Sequence, residues 1–212
     1  MQNQLAVNQR NTTVSGGFSS INLLDNLQPR VSNPEHLRRI AIIDDEDFDQ
    51  VLTLVRKEFT KEGRAVSDEY LARGIYALKQ YYAIAMLDPA NAHAVSVPVD
   101  PFWHAHILHT ERYEIFCNAV VGEYMHHRPL NHASKTQVAV VRNLYGYTLE
   151  VLPKLFTNVE AEFWPQAHSD SALICKHRGN QEIYGALQPI RLFEPNPQGT
   201  DFDDLDGPVT TH

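Results

Sequence analysis

The stretch 100–121 constrains this chain more than any other part of it. Phe102, Trp103, Ile107, Leu108, Ile115, Phe116, Val120 and Val121 put apolar side chains on almost every face of a helix. A helix that is apolar all round has to be surrounded, so a bundle must form around it. Asp100 suits the N-cap, Pro101 the first helical position, and Gly122 the stop.

The flanking sequence supplies the partners. Over 47–62, Phe48, Val51, Leu52, Val55 and Phe59 recur at three- and four-residue steps, and Gly63 ends the run. Ser67 is a good N-cap for a second helix reaching Leu87, with Tyr70 at its third position in place of the capping-box acid. Leu71, Ile75, Leu78, Tyr82 and Ala85 share one face of it, and Asp88-Pro89 closes it. A long segment over 134–156 carries the stripe Val138, Val141, Tyr145, Thr148, Leu152 and Leu155, with Pro153 kinking or ending its last turn. Residues 94–99 read as extended, because Pro98 disfavours helix at Val97. After Phe156 the pattern is irregular, and Phe163, Trp164, Ile174, Ile183, Tyr184 and Leu187 are expected to pack as short pieces over the helices. The expected fold is mostly α, an irregular bundle of four or five helices.

With 212 residues the chain is long enough for one domain with a substantial core and no staples. Residues 1–33 read as a polar lead in which Ile21, Leu23, Leu24 and Leu27 can dock as one short turn. The domain is expected to span 34–193. Residues 194–212 form an acidic tail: Glu194, Asp201, Asp203, Asp204 and Asp206 are accompanied by no Lys or Arg. The net charge of −8 argues against a nucleic-acid partner. No apolar run approaches a membrane span, and no secretory leader is visible. Cys117 and Cys175, outside any CxxC, read as reduced buried thiols, which makes cytoplasmic the expected location.

Seven of the 11 histidines fall between positions 93 and 132: His93, His104, His106, His109, His126, His127 and His132. Histidines crowded on a buried helix need partners and repel one another when protonated, and a shared cation solves both problems. At about 100° per residue, His104 and His106 point roughly 200° apart on a regular helix. They share an ion only if the first turn is distorted. His106, His109, Tyr113 and Cys117 fall on one side, and His104 lies with Ile107 and Glu111 on the other. His126 and His127 follow the stop. A return from there across a helix of 20 residues is about 30 Å. His127 therefore reaches His104 only by reversal of the chain or across a subunit interface. Tyr113 and Cys117 fit packing better than ligation. Glu111 fits a solvated position, with general base as the alternative. His93, His168 and His177 have no spacing support and default to the surface.

The run Asp100-x-x-Trp103-His104-x-His106-x-Leu108, followed by Tyr113, Cys117, Gly122 and His127-x-Pro129, resembles the signature of the glycine-rich domain-containing-protein-like family. The resemblance covers roughly 68–130, about a third of the chain. It implies a mostly helical domain and makes His104, His106 and His127 the best-matching histidines, without supplying a reaction. The chain departs from the plant members in having no glycine-rich tract, with only 10 glycines in all.

Two functions follow as expectations. The first is a histidine-ligated metalloprotein, a metalloenzyme on a small-molecule substrate. It would use one divalent transition metal (Fe, Zn or Cu) in an open site, for oxygen-dependent or hydrolytic chemistry. Its candidate ligands are His104, His106 and His127 with His109 and His126, and Glu111 and Tyr113 are the candidate catalytic groups. Asp100 and Glu111 keep a two-His-one-carboxylate centre open. The second is a non-catalytic binding or scaffold protein with structural histidines. GxSxG, P-loop, GxGxxG and HExxH motifs are all missing.

Overall fold

A computed structural model describes residues 21–127 and 135–166, and the backbone of 172–177. It is mostly α. Six helices follow a single 3₁₀ turn at Leu24–Asn26: α1 (Pro34–Asp45), α2 (Asp49–Lys61), α3 (Asp68–Leu87), α4 (Asp100–Ile107), α5 (Thr110–Val120) and α6 (Lys135–Leu155). Strand β1 (His93–Ser96) pairs antiparallel with β2 (Ala172–His177), and α6 packs against this ladder. No helix among the described residues is long and apolar enough to cross a membrane.

Several boundaries follow the local chemistry. Asn33 caps α1, accepting from the Glu35 amide at 2.8 Å, with Pro34 in the first turn. Gly63, at φ 75°, ends α2. The Gly63 amide donates to the Thr60 carbonyl and the Arg64 amide to that of Phe59, the paired bonds of a left-handed C-terminal cap. Ser67 caps α3 through the Tyr70 amide. Pro153 lies inside α6, which ends two residues later.

The surrounded helix is α3, with 15 of its 20 residues buried, whereas 100–121 was expected to be the central one. That stretch is broken in two. Leu108 closes α4, His109 takes a non-helical conformation (φ −89°, ψ 60°), and α5 starts afresh at Thr110. Leu108 and Ile115 are each 71% exposed, so neither helix is buried all round. Helix α1 was not expected. Its inner face mixes Ile40 and Ile43 with buried Arg39, whose guanidinium donates to the Val120 carbonyl at the end of α5 (3.0 Å).

The polar lead is anchored where it meets α1. Leu23 and Val31 are buried, while Leu24 stays exposed. Phe163 and Trp164 pack on the bundle as expected, and the Trp164 indole donates to Gln80 of α3 (2.9 Å). Residues 1–20 and the acidic tail lie outside the described residues, as do His132, His168, Ile183, Tyr184, Leu187 and the side chains of Ile174, Cys175 and His177.

Gly74 lets α4 approach α3. A Cβ there would sit 2.0 Å from the ring tip of Phe102, itself packed against Phe59, Tyr70 and Phe163. Ala gains about 1 kcal/mol over Gly in a helix, and overpacking a filled core costs about 1–3 kcal/mol. An overlap this deep places the cost at the upper end. Gly74→Ala is expected to lower the urea midpoint, by the equivalent of about 2 kcal/mol. Gly146→Ala on α6, where nothing lies within 4 Å of the new methyl, is expected to raise it.

Candidate metal centre

Asp100 and His104 are one turn apart on α4, so their side chains share a face. Asp100 does not cap the helix. Val99 occupies the N-cap without a side-chain bond, and Asp100 stands in the first turn, where the helix dipole favours a carboxylate. Its oxygens face two imidazoles: Oδ1 is 3.2 Å from His127 Nε2 and Oδ2 is 3.6 Å from His104 Nδ1. The two Nε2 atoms meet at 2.5 Å. One ligand atom from each of Asp100, His104 and His127 lies within 4.8 Å of the others. The carboxylate and His127 are 6% and 11% exposed, and His104 is 51% exposed, so one side of the group opens to solvent.

The break at His109 makes this possible. α5 turns away from α4 instead of continuing it, and Gly122, at φ 97°, lets the chain fold back. Residue 127 then lies beside residues 100 and 104 within one chain, without a 30 Å return or a second subunit. Partial burial holds the His104 imidazole below its usual pKa. Asp100 opposes that shift and His127 adds to it. The shift favours the neutral form of the ring, the form that binds metals.

The donor set fits a divalent transition ion: two imidazole nitrogens and a carboxylate oxygen converge, with one side accessible. Seating an ion at ordinary metal–nitrogen distances asks the two Nε2 atoms to part by about 0.8 Å. The half-exposed His104 ring has room for that movement.

His106 does not join the group. α4 is regular, so His106 points away from His104 into the core at 1% exposure. Its Nδ1 shares a hydrogen bond with the Tyr82 hydroxyl at 2.8 Å. Its Nε2 is buried, unpartnered and 4.0 Å from Glu46 Oε1. Glu46 is held by Arg112 at 2.5 Å, yet burial raises its carboxyl pKa. His109 caps α5 without a side-chain bond, and its Nε2 is also buried and unpartnered. His126 is exposed, against the Tyr124 ring. Glu111 is exposed on α5, while its neighbour Arg112 pairs with Glu46 and Asp47. Tyr113 is buried and touches none of the three converging ligand atoms by hydrogen bond. It accepts from the Trp103 indole (2.8 Å) and donates to the Met125 carbonyl (2.7 Å). Cys117 is buried, its thiol pushed up to about 11 by burial.

The His106 environment has a measurable consequence. Burial, then His109 and Arg112, lower its pKa from 6.5 to about 3. The unfolded chain takes up that proton near pH 6.5 and the folded one does not. The stabilising effect is complete above pH 6.5 and is lost as pH falls toward 3. Stability is expected to drop by up to about 1.4 kcal/mol per pH unit in that window. His106→Asn, which keeps an acceptor for Tyr82, should flatten the slope in urea melts taken from pH 7 to 4.

His93 was expected at the surface and is buried. Its Nε2 meets Asp88 at 3.2 Å and its Nδ1 meets Thr148 at 3.3 Å. Asp88 also accepts from Tyr147 (2.7 Å) and Asn91 (2.8 Å). This network ties the end of α3 to β1 and α6, away from the Asp100, His104 and His127 group. The member of the group that sequence reasoning undervalued is Asp100. Its four-residue spacing to His104 was the available signal, and its suitability as a cap concealed it.

No curated protein and no solved structure matches this chain. Residues 38–146, just over half of it, match the family described as UCP032817-like. That match spans α4, α5 and the Asp100, His104 and His127 group. It replaces the glycine-rich resemblance, which rested on the spacing of a few residues within 68–130, whereas the family match runs from within α1 to within α6. The chain belongs to the UCP032817-like family.

Proposed function

We propose that this protein is a metalloprotein that holds one divalent transition ion between Asp100, His104 and His127. We further propose that it acts on a small-molecule substrate at the open side of that ion. The observation that carries this reading is the convergence of two imidazoles and a buried carboxylate within 4.8 Å beside a half-exposed ring. Three protein ligands leave positions for water and substrate, as in two-His-one-carboxylate zinc and non-haem iron sites. Such an ion activates water or polarises a carbonyl if it is zinc, and handles oxygen if it is iron. Of the two candidate catalytic groups, Glu111 is the accessible one, and the Tyr113 hydroxyl is committed to Trp103 and Met125.

Elemental mass spectrometry of the untagged protein tests this. It would be exposed in turn to Fe²⁺, Zn²⁺ and Cu²⁺ and then desalted. One ion per chain, with a coordinated water exchangeable for azide or cyanide, is the expected result. No retained ion under any loading would sink the reading. One ion closed to exchange would leave a structural site.

A further inference from the structure

His127 is the one ligand of the proposed centre that no helix carries. Its position depends on how the segment after Gly122 is fixed to the bundle. Met125, two residues before it, has a fully buried side chain. Its carbonyl accepts from the Tyr113 hydroxyl at 2.7 Å, and its backbone amide meets the Cys117 thiol. Both backbone groups of Met125 are therefore held by successive turns of α5. The Tyr113 oxygen in turn accepts from the Trp103 indole at 2.8 Å, and Trp103 directly precedes His104. The circuit closes because the Trp103 ring packs on the His127 imidazole, with centroids 5.1 Å apart.

We infer that Tyr113 and Cys117 are positioning residues: they grip Met125 on both sides and so deliver His127 to Asp100 and His104. The role in metal binding rests on the function proposed above. The geometric role, holding His127 against His104, stands independently of it. A tyrosine filling core space would need a partner for its hydroxyl, and any buried acceptor would serve. Here two of its partners, Trp103 and the Met125 carbonyl, belong to the two segments that carry the ligands. Phenylalanine fills the same space and removes only the hydroxyl with its hydrogen bonds to Trp103, Met125 and Cys117, so packing and positioning can be separated. Cysteine at 117 is likewise separable: serine keeps an acceptor for the Met125 amide, and alanine does not.

The test uses the full chain and Co²⁺ as the probe, with affinity from calorimetry and thermal stability measured on the same samples. Tyr113→Phe and Cys117→Ala are expected to weaken Co²⁺ binding about 10–100-fold, the range found when groups orienting a metal ligand are removed. Cys117→Ser is expected to bind close to wild type. A drop in melting temperature with unchanged Co²⁺ affinity in Tyr113→Phe would overturn the inference. If wild type itself takes up no Co²⁺, the function proposed above fails. The geometric role is then judged by imidazole ¹H–¹⁵N spectra. Loss of the His104–His127 hydrogen bond in Tyr113→Phe supports it, and unchanged ring resonances overturn it.

Discussion

His104→Ala and His127→Ala are each expected to lower metal affinity by at least about 100-fold, beyond the 10–100-fold typical of groups that merely orient a ligand. Each removes one of two imidazole nitrogens that meet beside the Asp100 carboxylate. Asp100→Asn is expected to act as strongly, because it keeps the shape and removes the only negative charge in the three-residue group. His106→Asn is the control. That ring is buried, bonded to Tyr82 and directed away from the group, so one ion per chain should remain. Elemental analysis with calorimetric affinity on the four variants reads this directly. Loss of the ion in His106→Asn with retention in His104→Ala would mean that the ligands are on the other face of α4.

The second large effect concerns stability. Lys79 lies in the middle of α3 at 2% exposure, and its ammonium is 3.2 Å from Asp44 at 7% exposure. The same carboxylate accepts from the backbone amides of Leu23 (2.9 Å) and Leu24 (3.1 Å), fixing the lead onto α1. Asp44→Ala strands a buried ammonium with only carbonyl partners and releases both amides. Breaking a buried pair from one side costs about 3–5 kcal/mol, and that loss is expected in urea unfolding. Adding Lys79→Met to Asp44→Ala removes the stranded charge and should recover part of it. A double variant no more stable than the single one would show that the lost amide bonds, and not the buried charge, set the cost.

What the sequence made legible was governed by short-range chemistry. The apolar stripe of α2, the Ser67 cap, the glycines at 63 and 122 and the late proline in α6 each act within a turn of where they stand. α1 escaped notice because Arg39, which faces inward to reach the Val120 carbonyl, dilutes its apolar pattern. The break at His109 escaped because no Gly or Pro marks it. That single bend made the span from His104 to His127 look prohibitive. His93 is buried because Asp88 at the end of α3 and Tyr147 and Thr148 of α6 surround it. Two of those partners are more than 50 positions away, beyond any local pattern.

The bend has a consequence for how the protein is made. Asp100 and His127 are 27 positions apart, and α1 to α5 all precede residue 128. On a ribosome, the three residues of the group emerge ahead of α6. Bringing the ends of such a segment together costs an unstructured chain about 3 kcal/mol, and the α4–α5 hairpin meets that cost locally. The Asp100, His104 and His127 group can therefore assemble co-translationally, before α6 docks on the bundle.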